Sequence, residues 1–372
     1  MTGAIHLSLL IGPLVTAPAP AAVVESLTAV QVTGSNERSG FQLTFAAGNH
    51  SPVLKMVAAG VFDPMLTRVI VIATVNGTPH VLMDGIVTRH DLAPSNDPGQ
   101  STLTVTGEDL SVLMDVIEMN SMRYPSQPEV SQIYTILAKY AALGIVPMVV
   151  PPVISEVSSD KIPTQSGTDL EYIRQLARRC GYVFYIEPGP APGASIAYFG
   201  PDIRLPIPQP ALTINMDSHT NVESLSFSFD GTARKQIITT IFDPTTNLQT
   251  IPIPIPDISV LRPPLGARPA PPARVEFMTE AAKLTAGEAA KRAMAAAFRA
   301  TDAITGSGSL DVARYGRVLR PRGLVGVRGA GEAYDGLYYV NSVTHDLRPG
   351  RYTQQFNLTR DGLVSTTPVV PV

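Results

Sequence analysis

Hydrophobic and polar residues alternate along two neighbouring segments near the C-terminus. Every second side chain of Tyr338–Thr344 falls on the same side of an extended chain, and Tyr352–Leu358 places its aromatic and aliphatic residues on one face. A period of two is typical of β-strands. Arg348–Gly350, which reads RPG, predicts a turn because proline fixes φ and glycine accepts a positive φ. We therefore expect a β-hairpin with His345 at the end of its first strand.

Strand patterns also fill the N-terminal third of the chain. They begin at Ile5–Ile11 and continue through most of residues 23–106, where Asn76-Gly77 separates two strands with residues that tight hairpin turns prefer. Farther along, apolar residues recur at helical spacing, and the last of these segments has Thr168 or Asp169 as its cap. We expect helices within Gly107–Met119, Val130–Gly144 and Gly167–Gly181.

A short motif occurs once in each half of the chain. Residues 87–92 read VTRHDL and residues 343–347 read VTHDL, and each is followed by a Pro/Gly turn and a threonine-rich alternating segment. His90 and His345 occupy matching places in this alignment. We infer that the same β-barrel hairpin is used twice, once in each half.

Proline and alanine mark the segments between the strand patterns. Ile251–Arg274 is too rich in proline for a helix or a central strand, so we expect an extended excursion; a recognition ligand and a subunit-clasping arm are alternatives. Residues 285–303 predict an alanine-rich helix that Gly306-Ser307-Gly308 ends. The expected parts are a β-rich region at 1–118, a small α/β unit at 119–204, a second β-rich region at 205–363 and a tail at 364–372.

Composition narrows the class of protein. The 372 residues exceed what one core usually supports, and 44% hydrophobic with 16% charged residues is typical of globular chains. A net charge of -3 argues against a protein that holds nucleic acid by neutralising phosphates. Cys180 is the single cysteine, which excludes an intrachain disulfide and a thiolate metal cluster, and we expect it to be buried and inert.

Targeting and membrane segments are not expected. The N-terminal apolar run lacks the basic region of a signal peptide and contains His6 and Ser8. The most apolar long stretch is interrupted by Pro147, Pro151 and Pro152, so no stable insertion into a membrane is expected.

Catalytic motifs are absent from the sequence. HExxH, CxxC, GxSxG and GxxxxGK[ST] do not occur, and His345 has no nucleophile or second histidine close in sequence. Two acidic pairs lie at predicted helix starts, where carboxylates complement the helix dipole, and a glycosidase pair is the weaker interpretation. These pairs are Glu108/Asp109 and Asp169/Glu171. A basic stretch fits a solvated rim or a subunit contact better than single-stranded nucleic acid, and its members are Arg314, Arg317, Arg320, Arg322 and Arg328. We expect no catalytic, cofactor-binding or metal-binding residues, no cofactor and no enzyme activity.

Several segments together resemble the phage late control D family of tail hub proteins. They are GEDLSVLMD at 107–115, SGTDLEYIRQLARRCGYVFYIEPG at 166–189, SFDGTARKQI at 228–237 and, most specifically, the stretch SGSLDVARYG to QQFNLTRDGL at 307–363. The helix at 169–182 is similar to its counterpart in type VI secretion spike proteins, which share this hub module. The resemblance covers most of the chain in consistent order.

The resemblance implies a mainly β, α+β chain with two tube-like β-barrel domains and a small inserted α/β domain. Three copies would form a pseudo-six-fold ring that joins the six-fold inner tube to the three-fold central spike and forms part of the delivery channel. Expected partners are the homotrimer, the inner tube protein, a separate spike protein and other baseplate or wedge proteins, without specific nucleic-acid binding. The expected location is the baseplate of a virion tail or an injection particle, made in the bacterial cytoplasm. A baseplate-associated cell-wall hydrolase and a receptor-binding β module are the alternatives.

Overall fold

The structure is a computed structural model in which most of the chain is mainly β. It describes residues 5–13, 15–35, 39–48, 51–97, 99–152, 162–204, 207–239, 242–243, 248–249, 253–254, 262–278, 295 and 302–367. Within these ranges strands far outnumber helices, which confirms the predicted α+β, mainly β class.

The first region contains strands and two short helices. They are β1 Ile5–Gly12, β2 Ala17–Pro18, α1 Ala21–Glu25, β3 Leu27–Ser35, β4 Gly40–Ala46, α2 Pro52–Ala58, β5 Arg68–Val75, β6 Thr78–Ala93 and β7 Thr102–Asp109. The Asn76-Gly77 hairpin between β5 and β6 is confirmed: both residues have positive φ, 51° and 80°, as a tight turn between twisted strands requires. Burial alternates strictly along β7, so one side faces the core and the other faces solvent.

A small α/β unit follows, with its own apolar core. Its elements are a 3-10 helix at Leu110–Asp115, α3 Glu129–Ala138, a 3-10 turn at Ala141–Leu143, β8 Ile145–Val149, α4 Asp169–Cys180, β9 Val183–Pro188 and β10 Ser195–Gly200. The strand order is β8-β10-β9, and both long helices bury apolar faces in one cluster. Thr168 caps α4 in a capping box with Glu171, and Gly181 ends it at φ 70°.

The second β-rich region contains the remaining elements. They are β11 Gln209–Thr213, a 3-10 turn at Asp217–His219, β12 Val222–Phe229, β13 Lys235–Thr239, β14 Phe242–Asp243, β15 Leu248–Gln249, β16 Ile253–Pro254, β17 Gly266–Pro269, β18 Arg274–Met278, β19 Ile304–Asp311, α5 Val312–Tyr315, β20 Leu324–Arg328, β21 Gly336–Arg348, β22 Arg351–Arg360 and β23 Gly362–Ser365. The hairpin of β21 and β22 is the one that the sequence predicts.

The two β-rich regions repeat one strand connectivity. In the first the pairing order is β3-β4-β7-β6-β5, and in the second it is β12-β19-β22-β21-β20. A short helix precedes the third strand in chain order of each set, α2 before β5 and α5 before β20. The fourth strand carries a β-bulge at the same point in both sets, after Val87 and after Val340. The inferred duplication is therefore confirmed at the level of topology.

The repeats are joined edge to edge. β21 pairs antiparallel with β3, so both sets belong to one 13-stranded sheet, and residues of both contribute to one large apolar core. In the described part of the chain the strand path stays open, with β12 at one end. Closed barrels are thus not formed by pairings inside a single chain as far as the described residues show.

The repeat alignment drawn from the sequence is shifted. Val87 and Val340 are equivalent, because each lies before the bulge and each accepts a backbone N–H from a residue with left-handed φ, Met65 or Arg322. His90 therefore matches Val343 and not His345. The short shared motif misleads because it is shifted by two residues, and such a shift keeps every side chain on the same face, so a period-two pattern does not reveal it.

The segment Gly107–Met119 is not the helix that its spacing predicts. Pairing with β4 keeps the chain extended through Glu108, and Asp109 then caps a 3-10 helix by accepting a bond from the Ser111 N–H at 2.9 Å. Ile117, expected on the buried stripe, is 64% exposed. Tertiary strand pairing outweighs the helical spacing here.

Gly306-Ser307-Gly308 does not end a helix but lies inside β19. A side chain at Gly306 would meet the ring of Phe227 at 2.8 Å, and one at Gly308 would meet the ring of Phe356 at 2.7 Å. Asp302 and Ala303 are not helical, and apart from Ala295 the rest of the predicted helix at 285–303 lies outside the described residues. Much of Ile251–Arg274 does too, while β17 within it pairs with β23.

Candidate functional site

The junction of the two repeats is built from residues far apart in sequence. Ser342–Leu347 of β21 faces Val30–Ser35 of β3 in antiparallel register, and the hydroxyls of Thr33 and Thr344 are 3.1 Å apart on the solvent side. Val32 and Val343 are buried on the core side. The junction therefore continues one β-sheet across both repeats and is not a surface contact between two separate sheets.

Arg322 fastens this junction to the small α/β unit. Its backbone has φ 61°, and its guanidinium donates to Glu187 Oε2 at 3.0 Å and to the carbonyl of Ser35. The same guanidinium lies 3.8 Å from the ring centroid of Tyr185. One side chain thus links the end of β3, the second repeat and β9, and a planar cation suits this combination of stacking and hydrogen bonding.

A buried ion pair attaches the first repeat to the same unit. Arg68 binds Asp84 through two bonds of 2.6 Å, and both side chains are almost fully buried. The Ser195 hydroxyl donates to Asp84 at 3.0 Å, and Arg68 also donates to the Gly193 carbonyl at 3.2 Å. These bonds satisfy charges that would otherwise be costly to bury.

The solvent side of the sheet is polar, and its charged side chains, such as Arg89, Asp91 and Asp346, lie near the strand ends. Strand after strand presents hydroxyl or amide side chains there: Gln31, Thr33, Gln42, Thr44, Thr104, Thr106, Ser224, Ser226, Ser228, Thr305, Ser307, Ser309, Ser342, Thr344, Thr353, Gln355 and Asn357. Several bond across strands, as Ser226 does with Ser307 at 3.0 Å. The alternating hydroxyls of LTVTG and ESLSFSF were a sequence signal for this face.

His345 belongs to the core and not to a reactive site. Its Nδ1 lies 2.7 Å from the Tyr352 hydroxyl and 3.2 Å from Gln354 Nε2. Burial, with smaller contributions from the charges of Arg320 and His80, lowers the pKa of His345 to about 3. The ring is therefore neutral and accepts hydrogen bonds, which agrees with the hairpin interpretation. Its burial was not predicted.

The side chains of the two acidic pairs have structural roles in the fold. Asp109 accepts from the backbone N–H groups of Ser111 and Ser39, and burial raises its pKa. Asp169 accepts from Lys139, Tyr140 and Gln165. Glu108 pairs within the sheet, and Glu171 completes the capping box of α4.

The remaining candidate side chains lie apart from one another. Cys180 is buried at the end of α4, as expected. Within the basic stretch, Arg320 contacts His80 at 3.2 Å. Arg322 makes the contacts with Ser35, Glu187 and Tyr185 described above, which we call the arginine clamp. Among the described residues no group of three or more His, Cys, Asp or Glu could hold a metal ion, and none of their helices is long and apolar enough to cross a membrane.

Comparison with known proteins places this architecture among tail proteins. No protein-family model matches the chain, and no curated protein matches it. A tail protein from Neisseria meningitidis MC58 is 14% identical, with a TM-score of 0.64 over 97% of this chain and 98% of that one. The 43 kDa tail protein of prophage MuSo2 from Shewanella oneidensis is 16% identical, with a TM-score of 0.58 over 97% of this chain and 100% of that one.

A third similar structure comes from a secretion system. The E. coli c3393 protein, a type VI secretion component with structural similarity to the T4 tail proteins gp27 and gp5, is 11% identical, with a TM-score of 0.51 over 93% of this chain and 77% of that one. Such low identities show a shared fold and leave the chemistry to be argued from the residues. The chain has the fold of bacteriophage tail proteins and of this type VI component.

Proposed function

We propose that the chain is the structural hub of a contractile phage tail or injection-system baseplate. Three copies would form a ring that joins the six-fold inner tube to the three-fold central spike. The ring would also form part of the delivery channel. Its partners would be the tube protein, a separate spike protein and other baseplate proteins, and its location the baseplate of the particle.

The duplicated five-strand set carries this proposal. Two equivalent sets in one chain, already joined edge to edge through β21 and β3, supply two quasi-equivalent positions per subunit. Three such subunits supply six, which matches a six-fold tube on one side while leaving three-fold symmetry for a spike on the other. The fold shared with tail proteins supports the same assignment.

The polar sheet face supplies a surface for a channel. Its hydroxyl and amide groups lie on the side away from the apolar core, and three pairs of opposite charge lie near its strand ends: Arg89 with Asp91 at 2.7 Å, Arg348 with Asp346 at 3.2 Å and Arg351 with Glu223 at 3.7 Å. A wall of this kind has little net field, so it does not hold a charged polymer by counterion release. The proposed units are a first barrel domain at 1–118, an α/β domain at 119–204 and a second barrel domain at 205–363, with the barrels closed by strands of more than one copy, since the described strand path of one chain stays open.

Light scattering after size-exclusion chromatography tests the assembly, together with electron microscopy of the same fraction. We expect the mass of three chains and class averages with three-fold symmetry and a central hole. Capture of the tube and spike proteins of the same particle is expected at opposite faces of the ring. A monomer that binds neither protein would contradict the proposal.

A cell-wall hydrolase is the second candidate, and the acidic side chains bear on it. Asp109 and Asp169 are both occupied by structural hydrogen bonds. We therefore expect no clearing of peptidoglycan suspensions, and clearing that Asp169→Asn abolishes would favour the enzyme. A receptor-binding module would need aromatic platforms, but the chain has no tryptophan and only 6% aromatic residues.

A further inference from the structure

The strands equivalent to β21 and β3 in the other repeat do not pair with each other inside one chain. By the shared connectivity, β6 is the equivalent of β21, and β12 is the equivalent of β3. Within the described residues, β6 beyond Val87 pairs only with β7, and β12 pairs only with β19. Among the described residues, each repeat therefore has one half of the same junction on an unpaired strand edge, and such an edge can pair with another strand.

The bulges fix which residues correspond. Val87 matches Val340, so Asp91 matches Thr344. The bulges after Leu27 in β3 and after Val222 in β12 likewise match Thr33 with Ser228. The internal pair of Thr344 with Thr33 then translates into Asp91 opposite Ser228. The neighbouring pairs in this register are Arg89 opposite Asp230, His90 opposite Phe229, Leu92 opposite Phe227 and Ala93 opposite Ser226.

The side chains of the two free edges complement one another. Leu92 is 49% exposed and Phe229 is 39% exposed, on the face where the internal junction buries His345 and Val343. On the polar face the register brings the Arg89 guanidinium toward Asp230 and the Asp91 carboxylate toward the hydroxyl of Ser228. Pairing would thus cover exposed apolar surface and match opposite charges.

The first repeat has apolar side chains where the second repeat has Arg322. Met65 occupies the place of Arg322, since both have left-handed φ and both donate a backbone N–H at 2.8 Å to the equivalent valine carbonyl. Arg322 reaches the end of β3 at Ser35, whereas Met65 and the adjoining Leu66 are exposed. The equivalent target, Asp230 at the end of β12, lies in another copy, so these apolar side chains are expected to pack there.

We propose that β6 of one chain pairs antiparallel with β12 of a second copy, with Asp91 opposite Ser228, repeating between chains the junction that β21 and β3 form within one. The inference rests on the proposed ring and assigns its subunit interface. Because the two edges differ, the contact is heterologous, and repeating it closes a ring if the rotation permits.

Cysteine cross-linking of the full chain tests this register. The in-register variants are Asp91→Cys with Ser228→Cys, and Ala93→Cys with Ser226→Cys. Asp91→Cys with Ser224→Cys is the matched off-register control, four residues or about 13 Å farther along β12. Thr33→Cys with Thr344→Cys calibrates the geometry inside one chain, where the two hydroxyls lie 3.1 Å apart. The native Cys180 is buried and stays in place.

After mild oxidation, the in-register variants are expected to yield covalent dimers and trimers on non-reducing gels, about tenfold more than the off-register control. Equal yields from both registers, or no intermolecular product while the internal control oxidises fully, would overturn the register. Light scattering separates the two levels: a trimer without the cross-link refutes this interface alone, and a monomer refutes the ring as well.

A side-chain variant gives a second readout. Leu92→Glu places a carboxylate at a position that is exposed in the isolated chain and would be buried in the junction, so we expect single-chain mass by light scattering. Val275→Glu, at a position 51% exposed outside the junction, is expected to leave the assembly intact. Wild-type assembly of Leu92→Glu would show that this edge is not the interface.

Discussion

Acidification is expected to destabilise the fold through His345. The residue is 5% exposed, and burial lowers its pKa from 6.5 to about 3. The unfolded chain takes up a proton on this ring below pH 6.5, whereas the folded chain takes up none until the pH approaches 3. The unfolded state therefore binds more protons across this window, and the free energy of unfolding falls as the pH falls.

The size of the effect follows from the pKa difference. Each pKa unit corresponds to about 1.4 kcal/mol, so complete titration costs at most about 5 kcal/mol. Between pH 7.5 and 4.5 the unfolded chain alone titrates, and the expected loss is about 2.5 kcal/mol. That loss is a large fraction of the stability of an ordinary domain.

Urea unfolding at pH 7.5, 6.0 and 4.5 measures this loss in wild type and in His345→Gln. Glutamine retains an acceptor for the Tyr352 hydroxyl but carries no proton, so the variant should lack this part of the pH dependence. His219→Gln, at an exposed turn, is the matched control and should follow wild type. Parallel pH profiles of wild type and His345→Gln would refute the assignment of His345 as the neutral buried group.

Two further substitutions test the packing. Asp84→Asn leaves the buried Arg68 without its counter-charge, so we expect it to lower the free energy of unfolding by about 3–5 kcal/mol. The control is Asp346→Asn, which breaks an exposed pair and is expected to cost less than about 1 kcal/mol. Gly308→Ala forces a methyl group to within 2.7 Å of the Phe356 ring and is expected to cost about 1–3 kcal/mol, whereas Gly231→Ala, with open space around it, should be near neutral. Denaturant titrations measure both; a loss from Gly231→Ala equal to that from Gly308→Ala, or from Asp346→Asn equal to that from Asp84→Asn, would contradict the respective argument.

Local rules worked where the deciding partners are close in sequence. Asn76-Gly77 turns because both residues tolerate positive φ, and Thr168 with Glu171 caps α4 because the two reach each other across one turn. Along β22, Tyr352, Phe356 and Leu358 are all buried, as a period of two predicts. In each case the physical cause is contained in a few neighbouring residues.

Local rules failed where a distant strand decided the outcome. The bulge after Val340 reverses which side chains of β21 face the core: Val340 does so before the bulge, and Val343 does so after it. The single alternation predicted along Tyr338–Thr344 therefore holds only on one side of the bulge. Gly306 looked like a helix stop because nothing nearby in sequence shows the ring of Phe227 above it. His345 looked like a strand-end residue facing a turn, yet β21 still pairs with β3 at this point and the His345 ring lies buried on the core side.

The sequence by itself determined that the chain is mainly β, that one hairpin recurs, and which residues turn and cap its elements, because these features depend on side-chain period and local backbone preference. Only the tertiary structure decided the pairing of β21 with β3, the contacts of Arg322 with Ser35, Glu187 and Tyr185, and which edges of β6 and β12 lack a partner strand within the described ranges. These features depend on bulges and on contacts between residues hundreds of positions apart. Bringing such residues together requires packing of the whole chain, so the contacts leave no local pattern in the sequence.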